Sequence, residues 1–250
     1  MLYLLDTANV KEIEEHIENY PVSGVTTNPS ILAREGDALC SLAKEIRRVI
    51  GPDRMLHLQT MCDDFERIVR EGRSLEKIAG GAFYVKVPVN RVGIKAIMRL
   101  KEAGVGVTAT SIFTQQQALV AARAGADFVA PYVNRLDDIA GGGVAVVSDI
   151  AELFRMHGIS TRILAASFKN VEQVHRVSMA GAHCATLAPE LLDRLIYHPL
   201  TDISIDEFKR TGIKCPQVPS GEGRKMKISP RLLFQNRPFS IISSMFLGGG

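Results

Sequence analysis

The sequence predicts an α/β protein folded as a single-domain (β/α)8 TIM barrel, on three observations. Eight short apolar runs recur along the 250 residues, each closed by a polar, Gly or Pro residue. Stretches with apolar residues every three or four positions lie between them, the period of a half-buried helix. The first run is followed by LLDTANV, which holds no glycine. Strict strand–helix alternation implies parallel strands, and apolar runs without polar alternation imply strands covered on both faces. An open doubly wound sheet also meets both conditions, but it needs a phosphate-binding glycine fingerprint after its first strand. Eight units and no fingerprint favour closure into a barrel.

Taken in order, the first run spans residues 2–5 and ends in Asp6; the second spans 22–25 and ends in Thr26, Thr27 and Asn28. A helical period follows at 39–50, then a third run at 55–58 closed by Gln59 and a helix at 65–78. The fourth run, 83–87, contains Lys86; a helix at 93–103 leads to the fifth run, 105–109, closed by Thr110 and Ser111. After a helix at 115–124 the sixth run, 128–131, is followed by Tyr132, Asn134 and Arg135. A helix at 144–157, a seventh run at 163–166 closed by Ser167, a helix at 171–180, an eighth run at 184–187 and a helix at 189–197 complete the pattern.

Hydrophobic residues at 46% and charged residues at 23% exclude disorder of the whole chain, and there is no Trp. The N-terminal MLYLLDTANV lacks the basic and long apolar regions of a signal peptide, and no stretch is long enough to span a bilayer, so a cytoplasmic location without membrane attachment is expected. Cys40, Cys62, Cys184 and Cys215 lie far apart with no metal-ligand spacing, which predicts reduced thiols and no metal. The net charge of +3 is uneven: from Lys209 onward eight Lys/Arg face one Glu, a surplus of +7, which leaves residues 1–208 at −4. An acidic body argues against a nucleic-acid partner. The domain expectation is a catalytic barrel over 1–208 and a basic, Pro-containing tail over 209–250.

In a parallel barrel the polar residues that close the runs meet at one mouth, where such barrels place their chemistry. Singly, Thr26, Ser111 and Ser167 read as helix N-caps, and Asp6 and Gln59 can be caps too. Lys86 is less ordinary. It lies within Phe83-Tyr84-Val85-Lys86-Val87-Pro88, where burial is expected and an ammonium has no simple structural use. Desolvation disfavours a charged amine, and a neutral amine attacks a ketone carbonyl. The alternative, a lysine paired with Asp6 or another carboxylate for structure alone, stands beside it.

Four stretches, GVTTNPSI (24–31), YVKVPV (84–89), FVAPYVNRLD (128–137) and ILAASFKN (163–170), resemble the small transaldolase family, and more narrowly its fructose-6-phosphate aldolase branch. The resemblance covers roughly residues 1–208. It implies class I aldol chemistry with no metal and no cofactor, with Lys86 as the Schiff-base lysine, Asp6 as the carboxylate beside it, and Thr26 and Asn28 holding the donor part of the substrate. Gln59 and Tyr132 match the aldolase branch, in which they and Thr110 hold a proton-relaying water; a phenol can supply a hydroxyl to that network. Arg135 and Ser167 resemble a phosphate-binding pair, in keeping with the fit of guanidinium to phosphate and with a helix N-terminus after Ser167. Lys169 reads as a solvated lysine.

The implied activity is cleavage and formation of fructose 6-phosphate from dihydroxyacetone and glyceraldehyde 3-phosphate. Two other readings stand beside it: a transaldolase that passes a dihydroxyacetone unit between sugar phosphates, and a non-catalytic barrel that binds a sugar phosphate. The resemblance also implies a homo-oligomer, in rings of five or ten. Two features depart from the family. His57 and Thr108 stand where apolar residues are expected and can border the donor pocket, although a packed, hydrogen-bonded histidine is the commoner case. After Phe208 the likeness fades into a basic segment with four prolines, for which a disordered tail, a docking arm and a shifted reading frame all stay open.

Overall fold

The computed structural model describes residues 1–35 and 39–211. Its elements fall into two compact units, one over Met1–His198 and one from Pro199 onward. The first holds eight parallel strands, β1 (Leu2–Asp6), β2 (Val22–Thr26), β3 (Met55–Gln59), β4 (Phe83–Pro88), β5 (Val107–Ile112), β6 (Phe128–Pro131), β7 (Arg162–Ala165) and β8 (Cys184–Leu187). Each strand bonds to the next, and β1 pairs with β8, so the sheet closes. The predicted barrel is the observed one.

Ten helices accompany the strands: α1 (Val10–Asn19), α2 (Pro29–Glu35), α3 (Leu39–Ile50), α4 (Phe65–Ala79), α5 (Arg91–Glu102), α6 (Gln115–Arg123), α7 (Val133–Asp137), α8 (Gly143–Met156), α9 (Val171–Met179) and α10 (Pro189–Ile196). Short polar caps fix where several begin: Asn9, Asp64, Asn90, Thr114 and Asn170 each accept a backbone N–H of the first turn. In the second unit, α11 (Pro199–Arg210) runs past the expected boundary at 208, and residues 212–250, which hold most of the basic segment, lie outside the described residues. Among the described residues no helix is long and apolar enough to cross a membrane.

Side chains alternate along each strand and sort into two cores. Outward residues, Leu5, Val25, Leu56, Leu58, Val85, Val87, Val107, Val129 and Ile163, join one buried cluster with helix residues such as Ile46 and Leu100. Inward residues Leu4, Met55, Phe128, Leu164 and Cys184, with Tyr84 against them, form a second cluster inside the barrel. Both faces are apolar, hence no alternation in the sequence. Two residues further along β1, β4 and β8 the inward positions turn polar: Leu4 gives way to Asp6, Tyr84 to Lys86 and Cys184 to Thr186. The apolar cluster is thus a floor, and the polar ends of the strands stand on it.

Several strands differ from their predicted limits. β1 to β4 run one residue further because Asp6, Thr26, Gln59 and Pro88 continue the ladder. β5 starts two residues later and takes in Thr110 and Ser111, with a register shift between Ala109 and Ile112. Its predicted start is spent on the turn: Val105 N–H closes onto Leu100, and at Gly106 a Cβ would sit 2.4 Å from the Phe83 carbonyl oxygen.

Candidate active site

The inward polar ends enclose a cavity of about 320 Å³. Of the nine predicted site residues, Asp6, Asn28, Gln59, Lys86, Tyr132, Arg135 and Ser167 line it; Thr26 and Thr110 stand behind the wall, each in contact with a residue that does. They come from seven strands or the segments after them, so a parallel barrel is what unites them.

Lys86 is 5% exposed, and its neighbours in the ladder are Gln59 on β3 and Thr108 on β5. Its Nζ donates to the Thr27 carbonyl oxygen at 2.7 Å. Among the described residues no ion pair joins it to a carboxylate. The structural alternative, a lysine neutralised by Asp6, is therefore not what the barrel builds. A backbone carbonyl orients the amine and leaves it beside the cavity.

Asp6 has its own support. Thr26 Oγ1 donates to Asp6 Oδ1 at 2.6 Å. A hydroxyl carries one proton, so in the 2.6 Å contact between Thr26 and Thr186 it is Thr186 that donates. A relay of hydroxyls from β8 through β2 thus fixes one carboxylate oxygen on β1. Thr186 also lines the cavity, and sequence reasoning missed it. No run-ending polar signal marks it; it stands two residues beyond inward Cys184, as Lys86 does beyond Tyr84.

Across the cavity, Thr110 Oγ1 and Tyr132 OH lie 3.1 Å apart. The Tyr132 ring is held by an edge contact to Phe113, and the Arg135 guanidinium lies 4.9 Å over it. Gln59 Oε1 is buried without a hydrogen-bond partner. An unpartnered buried acceptor is costly, so a third group that donates to it, from water or substrate, is expected to be favoured there.

Two cavity residues strain the backbone. Ser111 and Ser167 have φ of 57° and 65°, the left-handed region that non-glycine residues seldom occupy. Ser111 lies inside β5, at its register shift, and Ser167 follows the end of β7. The helix after Ser167 starts at Val171, where it is expected; its N-cap is Asn170, which accepts Gln173 N–H, so Ser167 stands three residues ahead of the cap. Asn28 accepts Ser30 N–H and Ile31 N–H through Oδ1, capping α2 and leaving its amide NH₂ for the cavity it lines.

His57 and Thr108 do not border the cavity. They sit one inward layer lower, fully buried, with Nδ1 and Oγ1 at 2.8 Å, and the ring stacks on Tyr84 and meets Phe128 edge-on. Burial above all, then the charges of Lys86 and Arg162, holds His57 well below the usual histidine range, so it is neutral at physiological pH. It is part of the floor.

Against known proteins, the chain matches the family Transaldolase/Fructose-6-phosphate aldolase over residues 3–220, twelve residues past Phe208. It is 41% identical over 210 residues to a protein of Thermoanaerobacter sp. (strain X514) named "Probable transaldolase", covering 84% of this chain and 95% of that one. A protein of the same name from Hydrogenobaculum sp. (strain Y04AAS1) is 40% identical over 220 residues, 88% of this chain and all of the other. One from Clostridium perfringens (strain 13 / Type A) is 41% identical over 209 residues, covering 83% and 95%.

Proposed function

The chain belongs to the transaldolase/fructose-6-phosphate aldolase family, and from that premise we propose that it is a class I aldolase acting on fructose 6-phosphate through a Schiff base on Lys86. The observation that carries the reading is the buried Lys86 amine, held by a carbonyl rather than a carboxylate, on one wall of a polar cavity with Asp6. Nζ adds to the ketose C2 carbonyl, and loss of water gives an iminium. Asp6 takes the proton from the C4 hydroxyl; the C3–C4 bond breaks, its electron pair moves toward nitrogen, and glyceraldehyde 3-phosphate leaves. The remaining three-carbon enamine gains a proton at C3, and hydrolysis returns dihydroxyacetone and the free lysine. Thr26 and Asn28 hold the donor part, and Arg135 and Ser167 hold the phosphate.

Release of the free ketone needs a proton donor at the enamine. Tyr132, Thr110 and the unpartnered Gln59 support a water held there, since a phenol, a hydroxyl and an amide oxygen can together satisfy one. The names of the relatives favour a second reading, in which the enamine waits for an aldehyde acceptor and the chain is a transaldolase. Incubation with fructose 6-phosphate and no acceptor separates them. The aldolase reading expects free dihydroxyacetone to accumulate; its absence, with transfer to erythrose 4-phosphate intact, leaves the transaldolase. A homo-oligomer in the cytoplasm, with a sugar phosphate as its small-molecule partner, belongs to the same reading.

A further inference from the structure

Gln173 lies in the first turn of α9, is 8% exposed and does not line the cavity. Its side-chain amide makes three hydrogen bonds, none within α9. Oε1 accepts Lys169 N–H at 2.8 Å, while Nε2 donates to Asn134 Oδ1 at 3.1 Å and to Asp137 Oδ2 at 2.7 Å. The helix does not need them, since its first turn is capped by Asn170. What they join are the segments that carry Arg135 and Ser167.

Neither segment is rigid by its own means. α7 has five residues, fewer than an isolated helix needs to persist, and Arg135 on it is exposed. Ser167 keeps a left-handed backbone, which lasts only where its surroundings over-determine it. The determining contacts converge on one network. Asn134 N–H donates to the Ser167 carbonyl at 2.7 Å, Asp137 Oδ1 accepts Gly143 N–H at 2.8 Å, and Gln173 links Asn134, Asp137 and the backbone two residues past Ser167.

We infer that Gln173, acting with Asn134 and Asp137, is a positioning residue that sets Arg135 against Ser167 and thereby gives the enzyme its preference for phosphorylated over unphosphorylated aldehydes. The inference rests on the proposed role of Arg135 and Ser167 in holding phosphate. It leaves the Lys86 half of the site untouched, because no bond of the network reaches β4 or β1.

The test uses the full chain and two acceptors, glyceraldehyde 3-phosphate and glyceraldehyde, with dihydroxyacetone as donor. Gln173→Glu sets a carboxylate against Asp137 and the Asn134 oxygen; Gln173→Met keeps the length and removes the donors. For both variants KM for the phosphorylated acceptor rises about tenfold or more, kcat changes by no more than about twofold, and the reaction with glyceraldehyde is unchanged. Borohydride trapping of dihydroxyacetone on Lys86 proceeds as in the parent. Asp137→Asn added to Gln173→Glu restores a donor–acceptor pair and brings KM most of the way back down to that of the parent. Equal losses on both acceptors, loss of trapping, or an unchanged KM ratio overturns the inference. Arg135→Ala in the same assay reads the underlying assignment: if it spares the phosphate preference, the phosphate role fails; if it removes the preference and the Gln173 variants do not, only the role of Gln173 fails.

Discussion

Tyr84 and Lys86 share the inward face of β4, two residues apart, and one belongs to the floor while the other carries the proposed chemistry. The ring packs with His57 and Phe128, and the amine above it donates to the Thr27 carbonyl, its one hydrogen bond among the described residues. Lys86→Met fills similar volume without a nucleophile. It is expected to lower fructose 6-phosphate turnover by about a thousandfold or more while the thermal melt stays near that of the parent, checked by a coupled assay and calorimetry. Tyr132→Phe removes the hydroxyl that meets Thr110 and leaves the ring on Phe113. Release of free dihydroxyacetone falls by about a hundredfold, and transfer to an added aldehyde is retained; both products are read by chromatography. At this scale the sequence exposed the residues that end apolar runs. It hid Thr186, which is followed by apolar Leu187 and so resembles the middle of a strand, and it left open whether His57 borders the pocket or packs, because that depends on which inward layer each strand contributes.

At the scale of elements, the apolar runs located all eight strands because burial on both faces leaves an unbroken signal. The ends were read one residue short where a polar side chain points inward yet its backbone still pairs. α2 and α7 escaped because seven and five residues are too few to show a helical period. Arg47 on α3 shows a cost that no period displays. Its guanidinium donates to the carbonyls of Ala79, Gly51, Arg54 and Ala82, tying α3 to the ends of α4 and to the turns before β3 and β4. Arg47→Leu removes this donor from all four carbonyls, of which Ala82 keeps Leu56 N–H, and is expected to destabilise the fold by about 2–4 kcal/mol in chemical denaturation. Lysine does not rescue it, since a point charge cannot fork to four oxygens.

For the whole molecule, the closed barrel brings Asp6 and Ser167, 161 positions apart in sequence, to one cavity, and its floor sets a dependence on pH. Burial foremost, then nearby positive charge, lowers the proton affinity of His57 and His183 in the folded state. The unfolded chain protonates both below about pH 6.5, so it takes up protons that the native state refuses. Stability is full above that value and falls as pH drops through it, by up to about 1.4 kcal/mol per unit for buried His57 and by much less for exposed His183, which water screens. Melting temperatures from pH 7.5 to 5 should decline. The double variant His57→Leu with Thr108→Val, which removes both partners of one buried hydrogen bond, should flatten part of that decline and leave the share of His183.

The proposed reaction stands on a covalent bond to Lys86. Reduction with borohydride in the presence of dihydroxyacetone, followed by peptide mass spectrometry, reads that bond directly. The expected result is a stable adduct on the peptide containing Lys86, dependent on the ketone and absent from Lys86→Met. A parent protein that gives no adduct, or one that labels a different lysine, contradicts the Schiff-base mechanism.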